Sequence, residues 1–158
     1  MDKKGWKVYF LFVLLSVGTG LLAALLTSGG TDLYSGALLK PPLSPPAALF
    51  PIVWTVLYSL MGISAARICL SPESADRSRG LNIFIAQLIV NFFWSLIFFN
   101  AQAFGFAFFW LVLLWVLILW MILTFYKTDK FAALLQIPYL LWVTFAGYLN
   151  FMIWQLNR

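Results

Sequence analysis

Residues 108–125 read FFWLVLLWVLILWMILTF, and this stretch decides the fold class. A helix needs about 20 apolar residues to cross the hydrocarbon core of a bilayer, and the apolar run around this stretch is that long. A strand of a transmembrane barrel would instead alternate apolar and polar residues, which this stretch does not do. It therefore predicts a membrane-spanning helix.

The rest of the chain extends this pattern. Of its 158 residues 63% are hydrophobic and 9% charged, and the mean hydropathy is +0.95, whereas soluble domains are about 45–50% apolar. The first apolar run exceeds the roughly 7–15 apolar residues of a signal peptide, so we interpret it as a retained span. The predicted fold is an all-α integral membrane protein, a bundle of five transmembrane helices in a single domain, residues 1–158. The five predicted spans are residues 6–27, 46–69, 80–99, 104–126 and 131–155.

Basic residues predict the orientation, because Lys and Arg accumulate in short cytoplasmic loops. Eight lie on one side of the predicted bundle: Lys3, Lys4, Lys7, Arg67, Arg77, Arg79, Lys127 and Lys130. Lys40 and Arg158 lie on the other side. We therefore expect a cytoplasmic N-terminus and an outside C-terminus. With no basic cluster beyond these loops, no nucleic-acid partner is expected.

The missing residue types restrict the chemistry. The chain contains no histidine, which removes the usual general base, the commonest metal ligand and the ordinary axial ligand of haem. None of its five acidic residues falls inside a predicted span, which disfavours a proton-coupled transporter. We expect no metal site and no cofactor.

Polar and aromatic residues recur at a spacing of four in three predicted spans, so each set shares one helical face. The sets are Trp54 and Tyr58; Gln87, Asn91 and Ser95; and Trp142, Ala146 and Asn150. Because polar groups facing lipid are costly, these faces should point into the bundle. They predict either hydrogen bonds between helices or an internal ligand pocket, and their coincidence favours the pocket.

The fourth span carries Trp110, Trp115 and Trp120 at a spacing of five, which distributes them around the helix. We expect this span to face lipid. Ser16, Gly20 and Ala24 in the first span keep a spacing of four, which fits helix packing or dimerisation equally well.

The first long connection, residues 28–44, reads SGGTDLYSGALLKPPLS and predicts a stiff loop. Ser44 is the expected N-cap of the second span and Pro45 its first residue. Pro51 and Pro138 lie deeper, and each is expected to kink its helix.

Three stretches, in this order, resemble the tryptophan-rich sensory protein and translocator protein family, once called peripheral-type benzodiazepine receptors. They are LYSGALLKPPLSPPAALFPIVWTVLYSLMG (33–62), NFFWSLIFF (91–99) and PYLLWVTFAGYLN (138–150). The resemblance implies a five-helix bundle, often a homodimer, in a bacterial cell membrane. It further implies a pocket beneath the first loop that binds porphyrins and synthetic isoquinoline or benzodiazepine ligands, and light-dependent porphyrin breakdown in some bacterial members.

Carried over by motif, the resemblance implies a pocket lined by Tyr34, Trp54, Asn91, Trp142 and Ala146. The same resemblance implies that Pro45 and Pro46 shape the mouth of the pocket.

The chain also departs from the family pattern. Leu33 and Leu43 stand where family members commonly carry tryptophan, so two loop aromatics are missing. Phe151 and Gln155 break the cholesterol motif credited to animal relatives.

The expected function is membrane binding of a tetrapyrrole, protoporphyrin IX, as ligand or substrate. Light- and oxygen-dependent degradation of the porphyrin is a second expectation, with Trp54 and Trp142 as the catalytic residues. Two alternatives are a transporter of small hydrophobic molecules or lipids, such as porphyrins or sterols, and a purely structural membrane protein.

Overall fold

The computed structural model describes residues 3–36 and 38–158, and the described residues contain no strand. The helices are α1 (Lys3–Leu26), α2 (Ser28–Gly36), α3 (Leu49–Leu70), α4 (Ala75–Ser95), α5 (Phe104–Thr128), α6 (Lys130–Leu134) and α7 (Ile137–Leu156). A π-helical turn, Leu96–Asn100, continues α4. Within the described part of the chain, five helical stretches are long and apolar enough to cross a membrane: Gly5–Leu26, Leu49–Leu70, Ala75–Asn100, Phe104–Thr128 and Lys130–Leu156. The predicted fold class is confirmed, whereas the single-domain organisation stays a prediction.

Gly62 permits the close approach of the α1 and α3 backbones. A Cβ atom added at Gly62 would lie 2.5 Å from the Cα of Val13 and 2.8 Å from the carbonyl oxygen of Phe12. Backbone atoms cannot move aside as a flexible side chain can, so only glycine permits this approach. Small residues at helix contacts are the usual way in which membrane helices gain van der Waals contact.

The first connection is not the plain loop that the sequence predicts, because residues 28–36 form α2. This helix packs on the π-helical turn, where Gly30 lies directly against the backbone carbonyl of Phe99. The Asn100 side chain also donates a 2.8 Å hydrogen bond to the Leu26 carbonyl, at the end of α1. Tertiary contacts therefore support a helix whose glycine-rich sequence disfavours it.

The predicted start of the second span at Pro45, with Ser44 as its N-cap, is wrong. Helix α3 begins at Leu49 with Ala48 in the N-cap position, and the Ser44 amide instead donates to the Pro41 carbonyl in a turn. Pro51 lies in the first turn of α3, where a missing N–H removes no helical bond, so the predicted deep kink is absent there. Pro138 lies in the first turn of α7, just after the break between α6 and α7.

The fourth span is only partly lipid-facing, contrary to the prediction. One face of α5 is fully buried against α4 and α7, through residues such as Leu114 and Ile118. The Trp110 indole donates to the Val90 carbonyl, and the Trp115 indole donates to the Thr144 hydroxyl, both at 2.8 Å. A helix that is apolar all round gives no sequence signal for its buried face.

An ion pair joins the end of α3 to the start of α6. The Arg67 guanidinium lies 2.8 Å from Asp129 and 4.9 Å from the centre of the Phe131 ring. The same carboxylate caps α6 by accepting from the Phe131 and Ala132 amides. The start of the last span is thereby joined to α3.

Candidate functional site

A cavity of about 470 Å³ lies inside the bundle, at the end where α3 begins and α7 finishes. Spans α1, α3, α4 and α7 form its walls together with the first turn of α2, and the described lining residues include none from α5. The lining residues are Gly20, Ala23, Ala24, Thr27, Ser28, Thr31, Ala47, Phe50, Pro51, Trp54, Tyr58, Trp94, Ser95, Phe98, Phe99, Trp142, Ala146, Leu149, Asn150 and Ile153.

Aromatic rings make up most of two walls, those of α3 and of α4 with its π-helical turn, and α7 adds one more ring. On α3 the Trp54 and Tyr58 rings lie 5.5 Å apart, and on α4 the Trp94 ring stacks on Phe98 at 5.3 Å. Trp142 of α7 meets Phe50 edge to face, with 5.9 Å between ring centres. Flat aromatic surfaces on several sides suit a planar, apolar ligand.

The wall formed by α1 is made of small residues, and their size leaves the space open. Gly20, Ala23 and Ala24 present little side chain to the cavity, and the Tyr58 ring lies directly against Gly20. The spacing of Gly20 and Ala24 predicted helix packing or dimerisation, and the structure adds a third role for it, which is lining the cavity.

Polar groups on the wall are few. Asn150 is already paired, since its side chain accepts a 3.1 Å bond from the Trp94 indole and donates a 2.8 Å bond to the Phe104 carbonyl. The Trp142 indole N–H, in contrast, is buried and has no hydrogen-bond partner among the residues that the structure describes. Because the nitrogen itself is buried, an acceptor atom of a ligand in the cavity can reach it only if the Trp142 ring turns.

Gln87 and Asn91 do not lie on the cavity wall, which corrects their predicted placement. The Asn91 amide donates to the Tyr139 hydroxyl at 2.8 Å, and that hydroxyl donates to the Gln87 side-chain carbonyl at 2.8 Å. The Gln87 amide in turn lies 3.7 Å from the Met61 sulfur. Gln87 and Asn91 therefore form hydrogen bonds between helices, which is the other role that their spacing predicted.

The predicted residues thus divide into two groups. The cavity brings together Trp54, Tyr58, Ser95, Trp142, Ala146 and Asn150. Pro45 and Pro46 are not among the lining residues, although the next residue, Ala47, is. The Tyr34 side chain lies outside the described residues, so its role stays a prediction.

Sequence reasoning missed several parts of the wall, among them the α4-side rings Trp94, Phe98 and Phe99. Ser28 and Thr31 were hidden because their segment was predicted to be a loop, and only the helical phase of α2 brings them to one side. Leu149 and Ile153 continue the Trp142 face by further helical turns, and extending that face along α7 would have found them.

Comparisons with known proteins agree over nearly the whole chain. The profile of the TspO/MBR family matches residues 12–155. Protein CrtK of Rhodobacter capsulatus is 38% identical over 151 residues, covering 95% of this chain and 91% of that protein. The tryptophan-rich protein TspO of Chlorobaculum tepidum is 38% identical over 144 residues, covering 90% and 91%. The translocator protein of Bos taurus is 33% identical over 149 residues, covering 93% and 88%. The chain therefore belongs to the TspO/MBR family and is an integral membrane protein of the translocator type.

Proposed function

We propose that this protein binds a tetrapyrrole, protoporphyrin IX, in the cavity between its spans. The observation that carries the proposal is the cavity itself, at about 470 Å³, with aromatic walls from α3 and α4 and the Trp142 ring from α7. Small-molecule sites usually measure about 300–1,000 Å³ and combine apolar walls with a few polar groups. A porphyrin offers two π-faces for stacking and carboxylates that accept hydrogen bonds.

Trp142 is the proposed anchor of the ligand. Its ring forms part of the wall, and its unpaired indole N–H, once the ring turns towards the ligand, supplies a donor that a porphyrin carboxylate would satisfy. A buried donor without a partner is costly, so a ligand acceptor placed there gains affinity. Trp54, on the facing helix, supplies a second ring.

Trp142→Ala tests this placement. Losing an aromatic contact in a desolvated pocket should cost on the order of 1 kcal/mol, or about fivefold in affinity. Binding is measured from porphyrin absorbance, with Trp120→Ala on the exposed face of α5 as the matched control. Unchanged affinity in a folded Trp142→Ala variant would remove Trp142 from the site.

Light-dependent porphyrin degradation is a second activity that we propose for the same cavity. A photoexcited porphyrin held against an indole can exchange an electron with it, and dioxygen serves as the oxidant. This chemistry uses Trp54 and Trp142 and needs no histidine. The double variant Trp54→Phe with Trp142→Phe should bind porphyrin but not bleach it, because phenylalanine still stacks.

The bleaching rate is compared with that in empty detergent micelles, because free porphyrin generates singlet oxygen and bleaches without any protein. If the missing loop tryptophans are required, the wild type should bind without degrading, and Leu33→Trp with Leu43→Trp should create activity. Bleaching no faster than in empty micelles for all three proteins would leave a binding protein only.

Transport of small hydrophobic molecules, such as porphyrins or sterols, is the alternative function. A cavity that four spans share, within the membrane, supports it as well. Reconstituted vesicles distinguish the two functions, because a transporter moves porphyrin across the bilayer at a rate proportional to protein content. Saturable binding without such flux favours the binding protein.

We further propose a bacterial cell membrane location with the N-terminus cytoplasmic, supported by the distribution of basic residues. A cysteine at Ser35, in a Cys69→Ser background, should then react with an impermeant maleimide added outside intact cells. Labelling only after lysis would reverse the orientation.

A homodimer is also proposed, with α1 as its interface. Only 11% of the α1 span is buried, against 28–39% for the other four spans. A single cysteine at Leu21, in the same Cys69→Ser background, should form a disulfide-linked dimer in membranes. Exclusively monomeric protein after oxidation would move the interface elsewhere.

A further inference from the structure

A second cavity, a groove of about 590 Å³, lies on the outer surface of the bundle between α3 and α7. Apolar side chains line it, including Ile52, Val56 and Leu60 from α3 and Leu141 from α7. Ile52, Val56 and Leu141 are exposed, and all four lie within spans long enough to cross the membrane. The groove therefore opens to the hydrocarbon region of the bilayer.

Trp142 separates this groove from the inner cavity. Of the residues that the structure describes, it alone lines both. Its ring contacts Phe50 across the boundary at 5.9 Å and Phe145 along its own helix at 5.7 Å. These contacts place its ring at the boundary between the groove and the cavity.

The contacts that bridge α3 and α7 here are between aromatic rings. Besides Phe50 and Trp142, the Trp54 and Tyr139 rings meet edge to face at 6.3 Å. The Trp142 indole N–H has no partner among the described residues, so a turn of that ring breaks no hydrogen bond of its side chain. Tyr139, whose hydroxyl is bonded to Asn91 and Gln87, stays in place.

Hydrogen bonds hold the loop side of the cavity. The Asn157 side chain accepts a 3.1 Å bond from the Leu39 amide and donates a 3.0 Å bond to the Leu39 carbonyl. These bonds fix the first loop to the end of α7. Opening the loop requires both of these bonds to break.

We propose that the groove between α3 and α7 is a lateral entrance, through which a planar apolar ligand dissolved in the bilayer reaches the cavity, with Trp142 as its gate. The inference rests on the proposed function, since the occupant in transit is the same porphyrin. The groove's position within the spans and its continuity with the cavity through Trp142 favour this occupant.

Val56→Trp tests the entrance, because Val56 lines the groove and not the cavity. Val116→Trp on α5 is the matched control, with 49% exposure against 53% for Val56. Each protein is placed in nanodiscs, protoporphyrin IX is supplied from phosphatidylcholine vesicles in the dark, and porphyrin fluorescence follows association and dissociation. A blocked passage should slow both rate constants by at least about fivefold and leave Kd unchanged, since a gate affects the path and not the bound state.

Leu141→Trp, which narrows the groove from α7, is the second variant in case Val56→Trp does not fold. Rates equal to the control for the folded groove variants would overturn the entrance while leaving the binding proposal intact. Faster association in Asn157→Ala, with no effect of the groove variants, would assign the entrance to the loop. A monomer–dimer change confined to Val56→Trp would make the groove an interface between copies, which also overturns the proposal. Absence of saturable porphyrin binding to the wild type would overturn the proposed function, and the entrance with it.

Discussion

Replacing Tyr139 by phenylalanine removes one hydroxyl group from the centre of the bundle. Tyr139 is 1% exposed, and its hydroxyl accepts from the Asn91 amide and donates to the Gln87 carbonyl, both at 2.8 Å. The ring and its contact with Trp54 remain in the variant. The change therefore isolates the hydrogen bonds from the packing.

The expected loss follows from the number of groups left unpaired. Side-chain hydrogen bonds between membrane helices contribute about 0.6 kcal/mol on average and at most about 1.7 kcal/mol. Two such bonds are lost, and both amide partners, Gln87 and Asn91, stay buried. We expect Tyr139→Phe to lower the free energy of unfolding by about 1–3 kcal/mol.

Equilibrium unfolding by sodium dodecyl sulfate in mixed micelles, followed by circular dichroism, measures this loss. Tyr148→Phe is the control, because Tyr148 lies on the same helix and is 39% exposed. Porphyrin affinity is measured on the same samples. It should stay within about twofold of the wild type, since the hydroxyl does not lie on the cavity wall.

Two results would contradict this reasoning. Equal unfolding free energies for Tyr139→Phe and the control would mean that the buried network contributes nothing to stability. A large loss of affinity in Tyr139→Phe with unchanged stability would mean that Gln87 and Asn91 serve the ligand, as the sequence first predicted.

Three further predictions concern other contacts. Gly62→Ala should destabilise the bundle by about 1–3 kcal/mol, because the added methyl meets the backbone of α1. Gly18→Ala, with open space around Gly18, should not, and equal stabilities of the two variants in thermal unfolding would refute the close approach. Asn157→Ala should speed hydrogen–deuterium exchange at the Leu39 amide by about 5–30-fold, since two bonds that hold the loop are lost; unchanged exchange would show that the loop is held elsewhere. Arg67→Met should cost about 1 kcal/mol at low salt and less at high salt, because its ion pair is partly exposed; a salt-independent loss would point to packing instead.

The five spans could be predicted from the sequence because a bilayer imposes a length and a composition on any helix that crosses it. The predicted first span, residues 6–27, and the observed stretch Gly5–Leu26 differ by one residue at each end. The faces of Trp54 with Tyr58, and of Trp142 with Asn150, were also predictable, since helical periodicity fixes which residues share a side. Neither prediction requires knowing where the neighbouring helices are.

The remaining features of the fold and of the cavity depend on tertiary contacts. The sequence of α2 has poor helical propensity. The helix forms because Gly30 packs on the π-helical turn, a contact between segments about seventy residues apart in the chain. Gln87 shares a helical face with Ser95, yet Ser95 lines the cavity while the Gln87 side chain accepts a hydrogen bond from Tyr139. The sequence by itself determined the number of spans and the inward faces, since these depend on the bilayer and the helical period. Which inward residues hold helices together and which leave a space depends on the distances between helices, and those distances exist only in the assembled bundle.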